Sequence, residues 1–193
     1  MMKVLLLPGS RRLDSINVRL LLAVEKKLQA FGIETDRVGA DDLNAPIYDG
    51  DCEAKVGIPD SIKKLNKRMA AADAIIVASP EYNGFFSPLL KNTLDWMSRS
   101  QDDQPGTLVF KDKAALVLAA SPGPMAAARA LPHIRTQLSN LSLNVFRAQL
   151  GVGRAGTVIG EHGELLDEKT EQQLTVLLED FAEFAQKLSR SSS

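Results

Sequence analysis

Five short apolar runs, each followed by a polar loop and then by a stretch with helical spacing, constrain this chain more than any other feature. Lys3 to Leu7 is almost wholly apolar, as a strand covered on both faces has to be. Ile33 to Val38 alternates more and reads as an edge strand. Ala74 to Ala78 is again apolar throughout, Lys113 or Ala114 to Ala120 reads as a fourth strand, and Leu143 to Leu150 completes the set. Between them the period changes. Ser15 or Asn17 can cap a helix reaching about Phe31, with Leu20, Leu21, Val24, Leu28 and Phe31 on one stripe and Gly32 as its stop. Helices are also expected over Ser61 to Ala72, from Pro88 to about Ser98, from Met125 to about Leu141, and over Glu171 to Leu188. Pro88 suits a first turn, where its missing N–H costs nothing. Pro132 should bend its helix or mark the true first turn. Residues 39 to 60, Ser79 to Ser87 and Gln101 to Gly106 read as loops, and Ser189 to Ser193 as a disordered tail.

Strands alternating with helices give an open parallel sheet wound on both faces. With five strands the pattern is flavodoxin-like, a three-layer α/β sandwich whose five-stranded parallel sheet runs in the order 2-1-3-4-5. One domain over residues 1–188 is expected from a chain of 193 residues. Ligands of such sheets bind at the carboxyl ends of the strands, where the winding reverses. The loops after Leu7, Ala78 and Ala120 should therefore meet.

Composition removes several functions. Lys plus Arg number 23 and Asp plus Glu 24, so no field of one sign draws nucleic acid or anionic lipid. No apolar stretch approaches the roughly 20 residues of a membrane span, and the apolar start is too short for a signal sequence, broken by Pro8-Gly9-Ser10. Cys52 is the single cysteine, which fits a reducing compartment; a cytoplasmic protein is expected. One cysteine, reading as inert, and two histidines, His133 and His162, cannot build the usual zinc or iron centre. His133 reads as a surface or capping residue and His162 as part of a solvated turn. No Gly-x-Ser-x-Gly elbow is present.

The first loop, Gly9 to Asn17, lies between a strand and a helix start, where unpaired backbone N–H groups and the helix dipole favour an anion. Ser10, Ser15, the Asn17 amide, Arg11 and Arg12 add donors. That set suits a phosphate monoester, although Ser15 or Asn17 could simply cap the helix. Neither Gly-x-Gly-x-x-Gly nor Gly-Lys-Ser/Thr is present, so neither a dinucleotide fingerprint nor a Walker loop accounts for it. The second loop offers Tyr82 as an aromatic face and Asn83-Gly84 as residues able to turn N–H groups toward a planar ligand. Phe85 and Phe86 read as lid or interface residues. Ser121-Pro122-Gly123-Pro124 forms the third loop. Leu94, Trp96 and Met97 read either as core or as a face shared with a second subunit.

These loops carry a resemblance. Gly9-Ser10-x-Arg12-x-x-Ser15-x-Asn17, Ser79-Pro80-Glu81-Tyr82-Asn83-Gly84, Pro88-x-x-Lys91-Asn92-x-x-Asp95-Trp96 and, more loosely, Ser121-Pro122-Gly123-Pro124 with Arg129 are similar to the NADPH-dependent FMN reductase family, over residues 3 to 150. Relatives in that family reduce quinones, azo dyes and chromate. The resemblance implies FMN as cofactor, NADPH or NADH as hydride donor, and a small-molecule acceptor served by ping-pong kinetics, in a homodimer or homotetramer. It implies that Ser10, Arg12, Ser15 and Asn17, with Ile16 among them, hold the phosphate. Pro80, Glu81, Tyr82, Asn83 and Gly84 would line the ribityl chain and the ring, and Ser121 and Gly123 would touch the ring's far edge. No catalytic side chain is implied, since the flavin does the chemistry. The chain departs from the pattern at Ala126-Ala127, where relatives often carry Gly-Gly. A non-enzymatic flavodoxin-type electron carrier and a flavin-free regulatory relative stay open as other readings.

Overall fold

The computed structural model describes residues 2–100 and 104–191. Along the chain come β1 (Lys3–Pro8), α1 (Ile16–Ala30), β2 (Glu34–Arg37), α2 (Gly50–Val56), α3 (Asp60–Ala71) and β3 (Ala74–Ala78). A two-stranded hairpin, β4 (Glu81–Tyr82) and β5 (Phe85–Phe86), precedes α4 (Pro88–Met97). Then follow β6 (Ala114–Ala120), α5 (Ala130–Asn140), β7 (Asn144–Val152), α6 (Ala155–Val158) and α7 (Glu168–Ser191).

The apolar runs become strands because both of their faces are covered. The sheet order is β2-β1-β3-β6-β7 and every pairing within it is parallel, which is the predicted 2-1-3-4-5 once the hairpin is set aside. Alternate residues point to opposite layers. Leu5, Leu7, Ile75, Val77 and Val117 pack with Ile62, Leu65, Leu90, Leu94 and Ile134 from α3, α4 and α5. Val4, Leu6, Ile76, Leu116 and Leu118 pack with Leu20, Val24, Leu28, Leu174, Leu178 and Phe181 from α1 and α7. The less apolar β2 takes the edge, as its alternation predicts.

Several boundaries differ from expectation, each for a physical reason. The loop over residues 39 to 60 contains a 3-10 turn, Asp41–Leu43, and the short α2, capped by Asp49 through the Asp51 N–H at 2.9 Å. Seven residues show too little periodicity to betray a helix. Residues 125 to 129 form turns rather than helix, and α5 starts at Ala130 with Pro132 in its first turn. A bulge between Ala115 and Val117 lets β7 absorb extra residues and run on to Val152. Ser189 to Ser191 belong to α7 instead of a disordered tail, and Ser192 and Ser193 lie outside the described residues. Of the expected loop from Gln101 to Gly106, residues 101 to 103 also lie outside them, and Gly106 opens a 3-10 turn.

Leu94, Trp96 and Met97 are fully buried in the chain's own core, which removes them from any surface shared with a second subunit. The Trp96 indole N–H donates to the Pro46 carbonyl at 2.8 Å, and Tyr48 meets its ring edge-on at 5.1 Å. No helix among the described residues is long and apolar enough to cross a membrane.

Candidate functional site

The three loops meet at the carboxyl ends of β1, β3 and β6, and a ladder of small polar residues joins the first two. The Gly9 N–H donates to the Ala78 carbonyl at 2.7 Å. The Ser87 hydroxyl donates to the Gly9 carbonyl at 2.6 Å and accepts from the Leu90 N–H at 3.1 Å, capping α4. Ser79 Oγ accepts from the Ser87 N–H at 3.2 Å and donates to the Pro80 carbonyl at 3.0 Å. A Cβ on Gly9 would lie 2.7 Å from Ser79 Oγ, so glycine is needed there for the loops to close on each other. The close approach Gly9 permits is thus to Ser79.

These loops enclose a cleft of about 460 Å³, within the range of small-molecule sites. Ser10, Arg12, Ser15, Ile16 and Asn17 line it from the first loop. Pro80, Glu81 and Tyr82 line it from the second and Ser121 from the third. Asn83, Gly84 and Gly123 are not part of that lining. Asn83 (φ 52°) and Gly84 (φ 81°) form the turn joining β4 to β5. Gly123 lies behind Ser121, its N–H donating to the Ser121 Oγ at 3.2 Å and its carbonyl accepting from the Arg154 N–H at 3.1 Å.

At the start of α1, Ser15 is the cap, its Oγ accepting from the Val18 N–H at 3.4 Å. The backbone N–H groups of Ile16 and Asn17, in the first helical turn, have no hydrogen-bond partner among the described residues. Ser10 and Ser15 are buried, and each hydroxyl has its proton available for a bound group while its oxygen accepts a backbone N–H. Arg12 is exposed, 3.2 Å from Asp14. The Asn17 side chain has a structural task that the sequence reading did not include. Its amide donates to the Ala120 carbonyl at 2.9 Å and accepts the Ala120 N–H at 2.8 Å, a buried tie between α1 and β6. The tie uses one N–H of the amide, so Asn17 can still offer an anion its second amide N–H and its backbone N–H.

Glu81 does not turn its carboxylate to the first loop either. Its Oε2 accepts from the N–H groups of Arg129 at 3.0 Å and Ala130 at 3.1 Å. Phe86 is buried, whereas Phe85 is exposed and stacks between Phe86 and the exposed His133, each at 4.5 Å. The third loop is zipped to the end of β7: the Ser121 N–H donates to the Val152 carbonyl at 2.9 Å, and its carbonyl accepts from Ala155 at 3.0 Å. Among the described residues no group of three or more His, Cys, Asp or Glu side chains could hold a metal ion.

Asp14, Ala120 and Pro122, in or beside the expected loops though not singled out there, also line the cleft, as do Arg19 and Gly156, which sequence reasoning missed. Arg19 was within reach of it, since it follows Ser15 by one helical turn and shares its face. No carboxylate pairs with it among the described residues. Gly156 has no local signal and comes to the cleft only because β7 ends beside β6. The hairpin was also legible, as Asn-Gly between Tyr82 and Phe85 is the preferred two-residue turn.

The donor set fits a phosphate monoester with an attached planar group: two free helix N–H groups, two buried hydroxyls and two guanidinium groups at one end, and Tyr82 and Pro80 along the wall. A family model described as NADPH-dependent FMN reductase matches residues 2–157. An NAD(P)H-dependent FMN reductase from Pseudomonas aeruginosa is 34% identical over 181 residues, covering 91% of this chain and 92% of the relative. A quinone reductase from Escherichia coli is 30% identical, with 97% of each chain covered. Among solved structures, a flavoenzyme NAD(P)H:(acceptor) oxidoreductase from Paracoccus denitrificans superposes with a TM-score of 0.82 at 26% identity, covering 97% of this chain and 98% of the other.

Proposed function

The chain belongs to the NADPH-dependent FMN reductase family, and from that premise we propose that it passes electrons from NAD(P)H through FMN to a small acceptor, quinones foremost, by a ping-pong mechanism. One observation carries the reading: the unpaired N–H groups of Ile16 and Asn17 and the buried hydroxyls of Ser10 and Ser15 converge on one cleft. They would hold the FMN phosphate, with Arg12 and Arg19 supplying positive charge. Tyr82 and Pro80 would flank the ribityl chain and ring, Ser121 would meet the ring's far edge, and Asn83-Gly84 would bound the slot as the hairpin turn. Glu81 and Gly123 contribute through the backbone they order.

When bound, FMN supplies hydride acceptance and electron release in alternating half-reactions. The chain's residues would bind and orient it and leave the slot open, so that nicotinamide and acceptor could use it in turn. No side-chain acid or base is required. Quinone-reducing relatives favour quinones over free flavins, azo compounds or oxidised metals as acceptors. The proposal includes a single domain working in the cytoplasm as a homodimer or homotetramer.

The test is a visible spectrum and FMN titration of the purified protein, then NAD(P)H oxidation with a quinone panel. Arg12→Ala combined with Ser15→Ala should raise the FMN dissociation constant at least about tenfold while the fold persists. Unchanged flavin affinity would move the phosphate elsewhere. Flavin binding without NAD(P)H oxidation would instead indicate an electron carrier.

A further inference from the structure

Glu81 sits in a cleft-lining strand, yet its carboxylate serves a different element. Arg129 is the cap position of α5 but already has helical angles and gives no side-chain cap. The helix takes its cap from the second loop instead, 48 residues earlier in sequence at the Arg129 N–H. One carboxylate oxygen receives both the Arg129 N–H and the Ala130 N–H, the latter shared with the Ala127 carbonyl at 3.1 Å, while the other lies 3.8 Å from the Arg129 guanidinium. The Glu81 side chain is only 15% exposed, so water competes poorly for these bonds.

The segment just before this cap is the one that most needs restraint. Ala126 and Ala127 both hold left-handed backbone, with φ of 54° and 55°, a region that residues with a Cβ disfavour. Upstream lie Ser121 and Pro122, which line the cleft. Freeing the start of α5 would let the Ala126-Ala127 turn relax, and the third loop would move with it. Glu81 thus joins the wall made by the hairpin to the wall made by the third loop.

We propose that Glu81 is a positioning residue for flavin binding: by capping α5 from the second loop, it clamps the second and third loops together and fixes the width of the slot between them. The inference rests on the flavin reading above.

Two substitutions separate reach from charge. Glu81→Gln keeps an acceptor oxygen at the same reach without charge, whereas Glu81→Asp keeps the charge but withdraws it by one methylene. The readouts are amide hydrogen exchange at Arg129 and Ala130 in the flavin-free protein, the FMN dissociation constant, and the split between kcat and KM for the nicotinamide donor. In Glu81→Asp, exchange at those two amides should accelerate about tenfold or more, and the FMN dissociation constant should rise about tenfold. The donor's KM should rise more than kcat falls. Glu81→Gln should retain most of the protection and affinity. Adding Ala126→Gly and Ala127→Gly to Glu81→Asp should return part of the affinity, because glycine keeps the left-handed turn without a clamp.

The opposite ranking, with Gln damaged and Asp intact, would overturn the proposal, since the charge would then act on the ligand itself. So would freed amides with wild-type FMN affinity. Wild-type protein that takes up no FMN sinks the functional reading. Flavin binding that ignores Glu81→Asp sinks the clamp alone.

Discussion

Gly151, on β7, carries no side chain at a point where the third loop leaves no room for one. A Cβ there would stand 2.2 Å from the Ala126 carbonyl oxygen and 3.2 Å from the Ala126 Cβ. Restoring an ordinary contact requires the carbonyl to retreat by about 1 Å. That retreat is opposed on both sides. Downstream, Glu81 fixes the Arg129 and Ala130 N–H groups; upstream, Ser121 is bonded to Val152 and Ala155. The strand cannot yield easily either, since Gly151 pairs with Ala119 of β6. Overpacking of this kind costs about 1–3 kcal/mol, and with both walls fixed the upper half of that range applies. Gly151→Ala should therefore lower Tm by about 4–10 °C and, by displacing the third loop, weaken FMN about tenfold. Gly123→Ala is the control: its Cβ would meet Ser121 Oγ at 3.7 Å, an ordinary contact, and should change stability by less than about 0.5 kcal/mol. Urea unfolding midpoints and fluorescence titration with FMN measure both. Wild-type stability and affinity in Gly151→Ala, or equal losses in the two variants, would refute the steric reasoning.

Asn17→Ala strips the partners from both backbone groups of Ala120, and at about 1–3 kcal/mol for each orphaned group it should cost about 3 kcal/mol by urea unfolding. A stability loss below about 1 kcal/mol would show that the tie is not structural. Burial pushes the Asp42 carboxyl up, but hydrogen bonds from the Gly39 N–H and the Arg68 guanidinium outweigh it and hold the group below its ordinary value. The unfolded chain therefore binds this proton first on acidification, so the stabilisation is complete above the unfolded value of about 4 and is lost as pH falls through the lower folded value. Asp42→Asn should accordingly melt below wild type at neutral pH and converge with it under strongly acidic conditions. A gap that persists in acid would contradict this linkage.

The fold was legible because its determinants are local. Runs such as Ala74–Ala78 and Ala114–Ala120 are too apolar to be anything but central strands, and their order follows from the number of alternating units. That the three loops meet at one cleft was legible for the same reason. What escaped depends on contacts between distant segments. Asn17 looks like a phosphate donor in its motif, and only the arrival of Ala120, 103 positions away, gives its amide a structural tie as well. Trp96 could face core or partner until the Pro46 carbonyl and Tyr48 ring reach it. Gly156 lines the cleft through the packing of β7 against β6, which no local pattern announces.

The departure at Ala126-Ala127 shows how such contacts change the meaning of a substitution. Read from sequence, two methyl groups stand where backbone needs to approach a ring or another helix. In the fold neither residue lines the cleft: Ala127 is buried in the core beneath α5, and Ala126 turns toward Gly151. The demand at these positions is conformational, because both residues are left-handed, which costs a residue with a Cβ roughly 1–2 kcal/mol. Such strain persists only where neighbours over-determine the backbone. Here they do: Glu81 holds the residues after the turn, Ser121 anchors those before it, and the bare Gly151 leaves space beside it. The alanines thus keep the backbone path that a glycine pair would take freely, and they shift the burden of holding that path onto the carboxylate of Glu81.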